Sequence, residues 1–71
     1  MTQQEKMEAL AEILQEEAGT FTEESALDNL LWDSMAKLSL VALVNERFGK
    51  RLSGSQLKDF KTVQDILAVM E

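Results

Sequence analysis

Apolar residues in this chain recur at intervals of three and four, and no window keeps the strict alternation of a strand, so the fold is restricted to packed helices. Met7, Leu10, Ala11, Leu14 and Ala18 mark one stripe. Thr2 and Glu5 stand ahead of it at capping-box spacing, and Gly19 fits its stop. Val63, Ile66, Leu67 and Met70 mark another stripe, preceded by Thr62 and Asp65 at the same capping spacing. Between them lies a strongly apolar helix predicted from Ser34 to Phe48 and ended by Gly49. At about 100° per residue, its Leu40, Val41, Val44 and Phe48 share one side, predicted to face the core. Met35, Ser39, Ala42 and Glu46 share roughly the opposite side, with Leu38 on the border. A short helix is expected near Gln56–Asp59, after the capping signal Ser53-Gly54-Ser55-Gln56. The connection from Thr20 to Trp32 is long for so small a domain. Phe21, Leu27, Leu30 and Leu31 are its expected pins, with room for a short helical turn. The expected architecture is all-α: a small bundle of three main helices and one short one, forming a single domain over residues 1–71.

Composition narrows what such a bundle does. At 71 residues the core is small, a domain of this size burying about 60% of its unfolded surface. There is no cysteine, hence no disulfide, thiolate nucleophile or thiolate metal site. There is no histidine either, which removes the commonest general base and transition-metal ligand. The carboxylates lack the alternating spacing and glycine of a calcium loop. Neither a catalytic nor a metal site is therefore expected: the chain carries or binds something on which other proteins act. The N-terminus has no apolar block of a signal peptide, and the Leu38–Val44 run is far too short to span a bilayer. A cytoplasmic, non-inserted monomer is the expectation. The net charge of −6 disfavours nucleic acid as a partner. It is unevenly spread: residues 1–33 carry nine acids against one base, residues 34–71 six bases against four acids.

The most informative pair is Asp33-Ser34, which opens the apolar helix. It leaves a hydroxyl at the helix's positive end, where backbone N–H groups and the macrodipole favour an anion such as a phosphate ester. Asp33 or Ser34 serving simply as a helix cap is the alternative.

Asp33-Ser34-Met35, the apolar helix ending in Asn45-Glu46-Arg47-Phe48-Gly49, and the closing Phe60-Lys61-Thr62-Val63-Gln64-Asp65-Ile66 together resemble the acyl carrier proteins over essentially the whole chain. The resemblance implies that a separate phosphopantetheinyl transferase uses coenzyme A and Mg²⁺ to attach 4′-phosphopantetheine to Ser34 through a phosphodiester. The arm's thiol then holds an acyl or aminoacyl group as a thioester and presents it to loading and processing enzymes. Asp33, by the same resemblance, contacts the transferase. Met35, Leu38, Ser39, Ala42 and Glu46 form the partner-docking face. With no cysteine in the chain, the arm's thiol would be its only one.

Two departures from the family pattern stand out. Many members carry several acids along this helix, whereas here Ala36, Ser39 and Asn45 occupy the comparable face, only Asp33 and Glu46 are acidic, and Lys37 is basic. Weaker electrostatic steering follows, pointing to a specialised fatty-acid, polyketide or other lipid-type pathway. Trp32 replaces the small residue frequent before the Asp, and anchoring in the core is its expected role over covering the arm. The functional expectation is a discrete acyl carrier protein. An aminoacyl or peptidyl carrier using the same serine is the nearest alternative, and an unmodified helical interaction module the alternative of another class. A regulatory role touching RNA through Lys50-Arg51 and Lys58 to Lys61 fits poorly with the overall acidity.

Overall fold

The computed structural model describes residues 2–17 and 19–71. Among the described residues four α-helices follow one another, α1 (Gln3–Leu14), α2 (Ser34–Phe48), α3 (Gly54–Asp59) and α4 (Val63–Leu67), with a 3₁₀ turn at Leu27–Asn29 in the first connection. Among the described residues the only β-type pairing is an isolated bridge between Ala26 and Thr62.

The helices begin where the capping signals stand. Thr2 Oγ1 accepts the Glu5 N–H at 3.1 Å while Glu5 Oε1 accepts the Thr2 N–H at 2.9 Å. Ser53 and Gln56 repeat that reciprocal pair at α3, at 3.1 and 2.9 Å, and so start it two residues earlier than expected. At α4 the Asp65 carboxylate accepts the N–H groups of both Lys61 and Thr62, at 2.8 and 3.1 Å.

α1 ends four residues short of the predicted glycine stop. Gln15 takes the left-handed conformation (φ 56°). The Glu16 N–H then reaches Ala11 O and the Gln15 N–H reaches Glu12 O, at 2.9 and 3.3 Å, the double closure of a Schellman end. Glycine is favoured for that role but not required, and Gly19 (φ 98°) instead bends the following loop. Ala18, assigned to the stripe of α1, lies outside the described residues. α2 ends as predicted: Gly49 (φ 66°) donates its N–H to Asn45 O at 3.1 Å. α4 is only five residues long, but Met70 reaches the core through a tightened turn in which the Val69 and Met70 N–H groups bond Ile66 O and Leu67 O.

Leu10, Leu14, Leu40, Val44, Val63, Ile66 and Met70 are fully buried and join all three main helical segments around one core with Ala11, Phe21, Leu27 and Leu67. The long first connection is part of that structure. Phe21 and Leu27 are buried as expected, and the backbone locks the rest in place. The Leu27 N–H donates to Lys61 O, the Val63 N–H to Ser25 O and the Gln64 N–H to Glu23 O, at 2.9, 3.1 and 2.8 Å. The last two bonds satisfy α4 donors that no residue within the helix can reach.

Two predicted placements are corrected. Leu31, expected to pin the loop, is 42% exposed. The Trp32 N–H donates to Leu30 O at 2.8 Å, closing a three-residue turn with Leu31 at its apex, so Leu31 turns out while Leu30 and Trp32 pack against the core. Ala36, placed on the outer face of α2, is 3% exposed. It lies four residues before Leu40 and eight before Val44, and these three form the buried row of the helix. Val41 and Phe48, predicted to be core, are half-buried.

Candidate functional site at the start of α2

Asp33 has extended backbone (φ −104°, ψ −173°), and its Oδ1 accepts the Ala36 N–H at 2.9 Å. Its carbonyl accepts the first helical bond, from the Lys37 N–H at 3.0 Å. Asp33 is thus the cap, which settles the choice left open between it and Ser34. Ser34 is the first helical residue and is exposed. The N–H groups of Ser34 and Met35 precede the helix's own hydrogen-bond ladder, as those of any first turn do. A phosphodiester on Ser34 fits this position: the oxygen is at the surface, and the helix end stabilises an anion there by an amount on the order of 0.3–1 kcal/mol. Asp33 opposes part of that gain.

The residues expected to form a docking face are all on the outside. Met35, Leu38, Ser39, Ala42 and Glu46 are exposed and, at intervals of three and four, lie along one face. Met35 and Leu38 are 69% and 65% exposed, so Met35 is not a core filler. Leu31 adds an apolar group before the helix, which the sequence reading missed by assigning it inward.

Trp32 does anchor the loop: it is half-buried against the core, its ring 6.3 Å from that of Phe60 and tilted by 50°. Beside this aromatic pair lies an open groove of about 500 Å³ lined by Trp32, Lys37, Leu57, Lys58, Phe60 and Lys61. Its parts come from the loop, α2, α3 and the α3–α4 connection, so no single stretch of sequence announces it. Two carboxyls have a pKa below their ordinary range, and both cap other helices. Glu5 is lowered by the Thr2 N–H and hydroxyl, and Asp65 by the backbone N–H groups of Lys61 and Thr62. Among the described residues no cluster of three or more histidine, cysteine or acidic side chains could hold a metal ion, and no helix is long and apolar enough to cross a membrane.

Residues 7–70 match the family model described as the phosphopantetheine attachment site. The chain is 35% identical to an acyl carrier protein of Thermobifida fusca, over 93% of this chain and 90% of that protein. It is likewise 35% identical to one from Myxococcus xanthus, over 90% and 87% of the two chains. A third, from an Arthrobacter species, is 36% identical over 92% and 86%. No solved structure matches the chain at a significant level. The chain belongs to the acyl carrier protein family. Proteins of this family are carriers, not catalysts, and 4′-phosphopantetheine is the group they bear.

Proposed function

We propose that Ser34 is the attachment point of the phosphopantetheine arm and that the chain carries acyl intermediates of a specialised lipid-type pathway between partner enzymes. The observation that carries this reading is the exposed Ser34 hydroxyl, held as the first residue of a helix by the Asp33 cap. In the transfer, Ser34 Oγ bonds to the phosphorus next to the pantetheine of coenzyme A. The adenosine bisphosphate half leaves as that phosphoanhydride bond breaks, and the serine proton passes to the transferase. The arm supplies a thiol for thioester chemistry. The protein's own residues hold the attachment oxygen in the open and present Met35, Leu38, Ser39, Ala42 and Glu46 to the enzymes that act on the cargo.

Acyl rather than aminoacyl cargo is supported by the names of the relatives, all acyl carrier proteins. A specialised pathway is supported by the outer face of α2. Asp33 and Glu46 are its acids, while Met35 and Leu38 are its largest exposed groups, so recognition there rests on apolar contact more than on charge.

The test is intact-mass measurement after incubation with coenzyme A, Mg²⁺ and a broad-specificity phosphopantetheinyl transferase. Wild type gains one phosphopantetheine and Ser34→Ala gains none. Wild type left unmodified by several such transferases, or Ser34→Ala modified equally, would refute the assignment.

A further inference from the structure

The chain's sulfur atoms are the thioethers of Met1, Met7, Met35 and Met70, with no thiol beside them to consume an oxidant. Met70 is fully buried in the core, Met7 is half-buried against it, and Met35 is 69% exposed. Met1 lies outside the described residues. Oxidation of a thioether requires the oxidant to reach the sulfur, so exposure ranks Met35 ahead of Met7 and Met70. Hydrogen peroxide is uncharged, and the net charge of −6 does not repel it.

Position gives the Met35 sulfur a consequence. Met35 directly follows Ser34 in the first turn of α2, and the exposed Leu38 stands three residues further along the same face. A transferase that brings a phosphorus to Ser34 Oγ has to cover the neighbouring side chain as it does so. A thioether enters such a contact as an apolar group, whereas a sulfoxide carries a polar oxygen that must give up its water there. Folding is indifferent to the change, because Met35 stands outside the buried row of Ala36, Leu40 and Val44.

We propose that Met35 is a reversible oxidation site and that its sulfoxide slows the loading of Ser34. A sulfur lone pair attacks one oxygen of hydrogen peroxide, and the S–O bond forms as the O–O bond breaks. The departing hydroxide takes the proton from the transferred oxygen and leaves as water, so the sulfur is oxidised and the peroxide reduced. The effect on loading rests on Ser34 bearing the arm, whereas the selectivity of oxidation does not.

The test uses the full chain before the arm is attached. Untreated protein is first incubated with coenzyme A, Mg²⁺ and the transferase, and its gain of one phosphopantetheine is verified. A missing gain overturns the attachment reading and the loading effect with it, so that failure is told apart at the first step. A second sample receives limiting hydrogen peroxide, is quenched with catalase, and is mapped by peptide mass. One added oxygen is expected on Met35 while Met7 and Met70 stay unoxidised and the melting curve is unchanged. Oxidation of Met7 or Met70 ahead of Met35 overturns the site. The oxidised protein should then load about tenfold more slowly at limiting carrier concentration, the penalty of covering one unpaired polar group. The two reductases that act on the two sulfoxide epimers should restore the rate. Met35→Leu should load at the wild-type rate and keep that rate after peroxide, and Met35→Gln should load slowly with no oxidant at all. Loading that is unaffected by the Met35 sulfoxide overturns the inference. So does an equal loss of rate in peroxide-treated Met35→Leu, which would assign the effect to another methionine.

Discussion

Leu38 and Leu40 lie two residues apart on α2 and meet opposite fates, one 65% exposed and the other fully buried. The inner row of the helix is Ala36, Leu40 and Val44, all buried, with Leu40 and Val44 packed in one core with residues of α1, the loop and α4. The outer row is Met35, Leu38, Ser39, Ala42 and Glu46, open to solvent. Burying a leucine of the inner row contributes about 1.5–3 kcal/mol to folding, while its outer counterpart contributes almost none of that. The inner row therefore accounts for stability, and the outer row's apolar groups are available to partners. One helix divides the two duties by angle alone.

Substitutions test that division, and the largest effect belongs to Ser34. Ser34→Ala is expected to abolish the phosphopantetheine mass gain completely while leaving the circular dichroism spectrum and melting curve unchanged. A variant that both lost modification and unfolded would show that the serine has a structural duty as well. Next comes Leu40→Ala, expected to lose about 2–5 kcal/mol in denaturant unfolding because it opens a cavity among fully buried neighbours. A domain with about 0.05–0.15 kcal/mol of stability per residue has little margin for such a loss.

Asp33→Ala removes the cap of α2 and should cost about 1 kcal/mol. Asp33→Asn keeps an acceptor for the Ala36 N–H and should restore most of that stability. If the Asn variant is nonetheless modified more slowly, the carboxylate's charge contacts the transferase; if its rate matches wild type, Asp33 acts as a cap only.

A smaller effect is expected on acidification. Asp65 has a pKa below its ordinary 3.8 because two backbone N–H groups bond its ionised form. A carboxyl lowered on folding stabilises above its unfolded pKa, and that stability is lost as pH falls through the folded one. The melting temperature should therefore drop as pH is taken below 3.8, and Asp65→Asn should flatten the slope in that range. Smallest in stability is Leu38→Ala, within about 0.5 kcal/mol of wild type, as for other surface changes. Its consequence should appear instead as weaker binding to a processing enzyme, and an unaltered affinity there would remove Leu38 from the docking face.

Much of this was legible because it is local. Thr2 with Glu5, Ser53 with Gln56, and Gly49 each act within a few residues of themselves, and the helices begin or end at them. The position of Ser34 at the head of α2 belongs to the same class, since an Asp before an apolar periodic run is a start signal wherever it occurs. The miss at α1 has a local cause too: Gln15 accepts a left-handed conformation that the sequence favours only for glycine or asparagine.

The remaining features depend on residues far apart in the chain. Leu31 stands at the apex of the Leu30–Trp32 turn, and the loop before that turn is tied, through the Leu27 N–H to Lys61 O and the Val63 N–H to Ser25 O, to the start of α4. The burial of Ala36 required the neighbours that close over the first turn of α2, and a small residue offers no periodic signal strong enough to foresee it. The groove needed four segments to meet before Lys37, Lys58 and Lys61 became one cationic rim around Trp32 and Phe60. Helix positions, caps and the candidate serine followed from the order of residues, because hydrogen bonds spanning three or four residues set them. Which apolar groups remained outside, and where the scattered lysines converged, was decided by tertiary structure, because only long-range backbone pairing orients one segment against another.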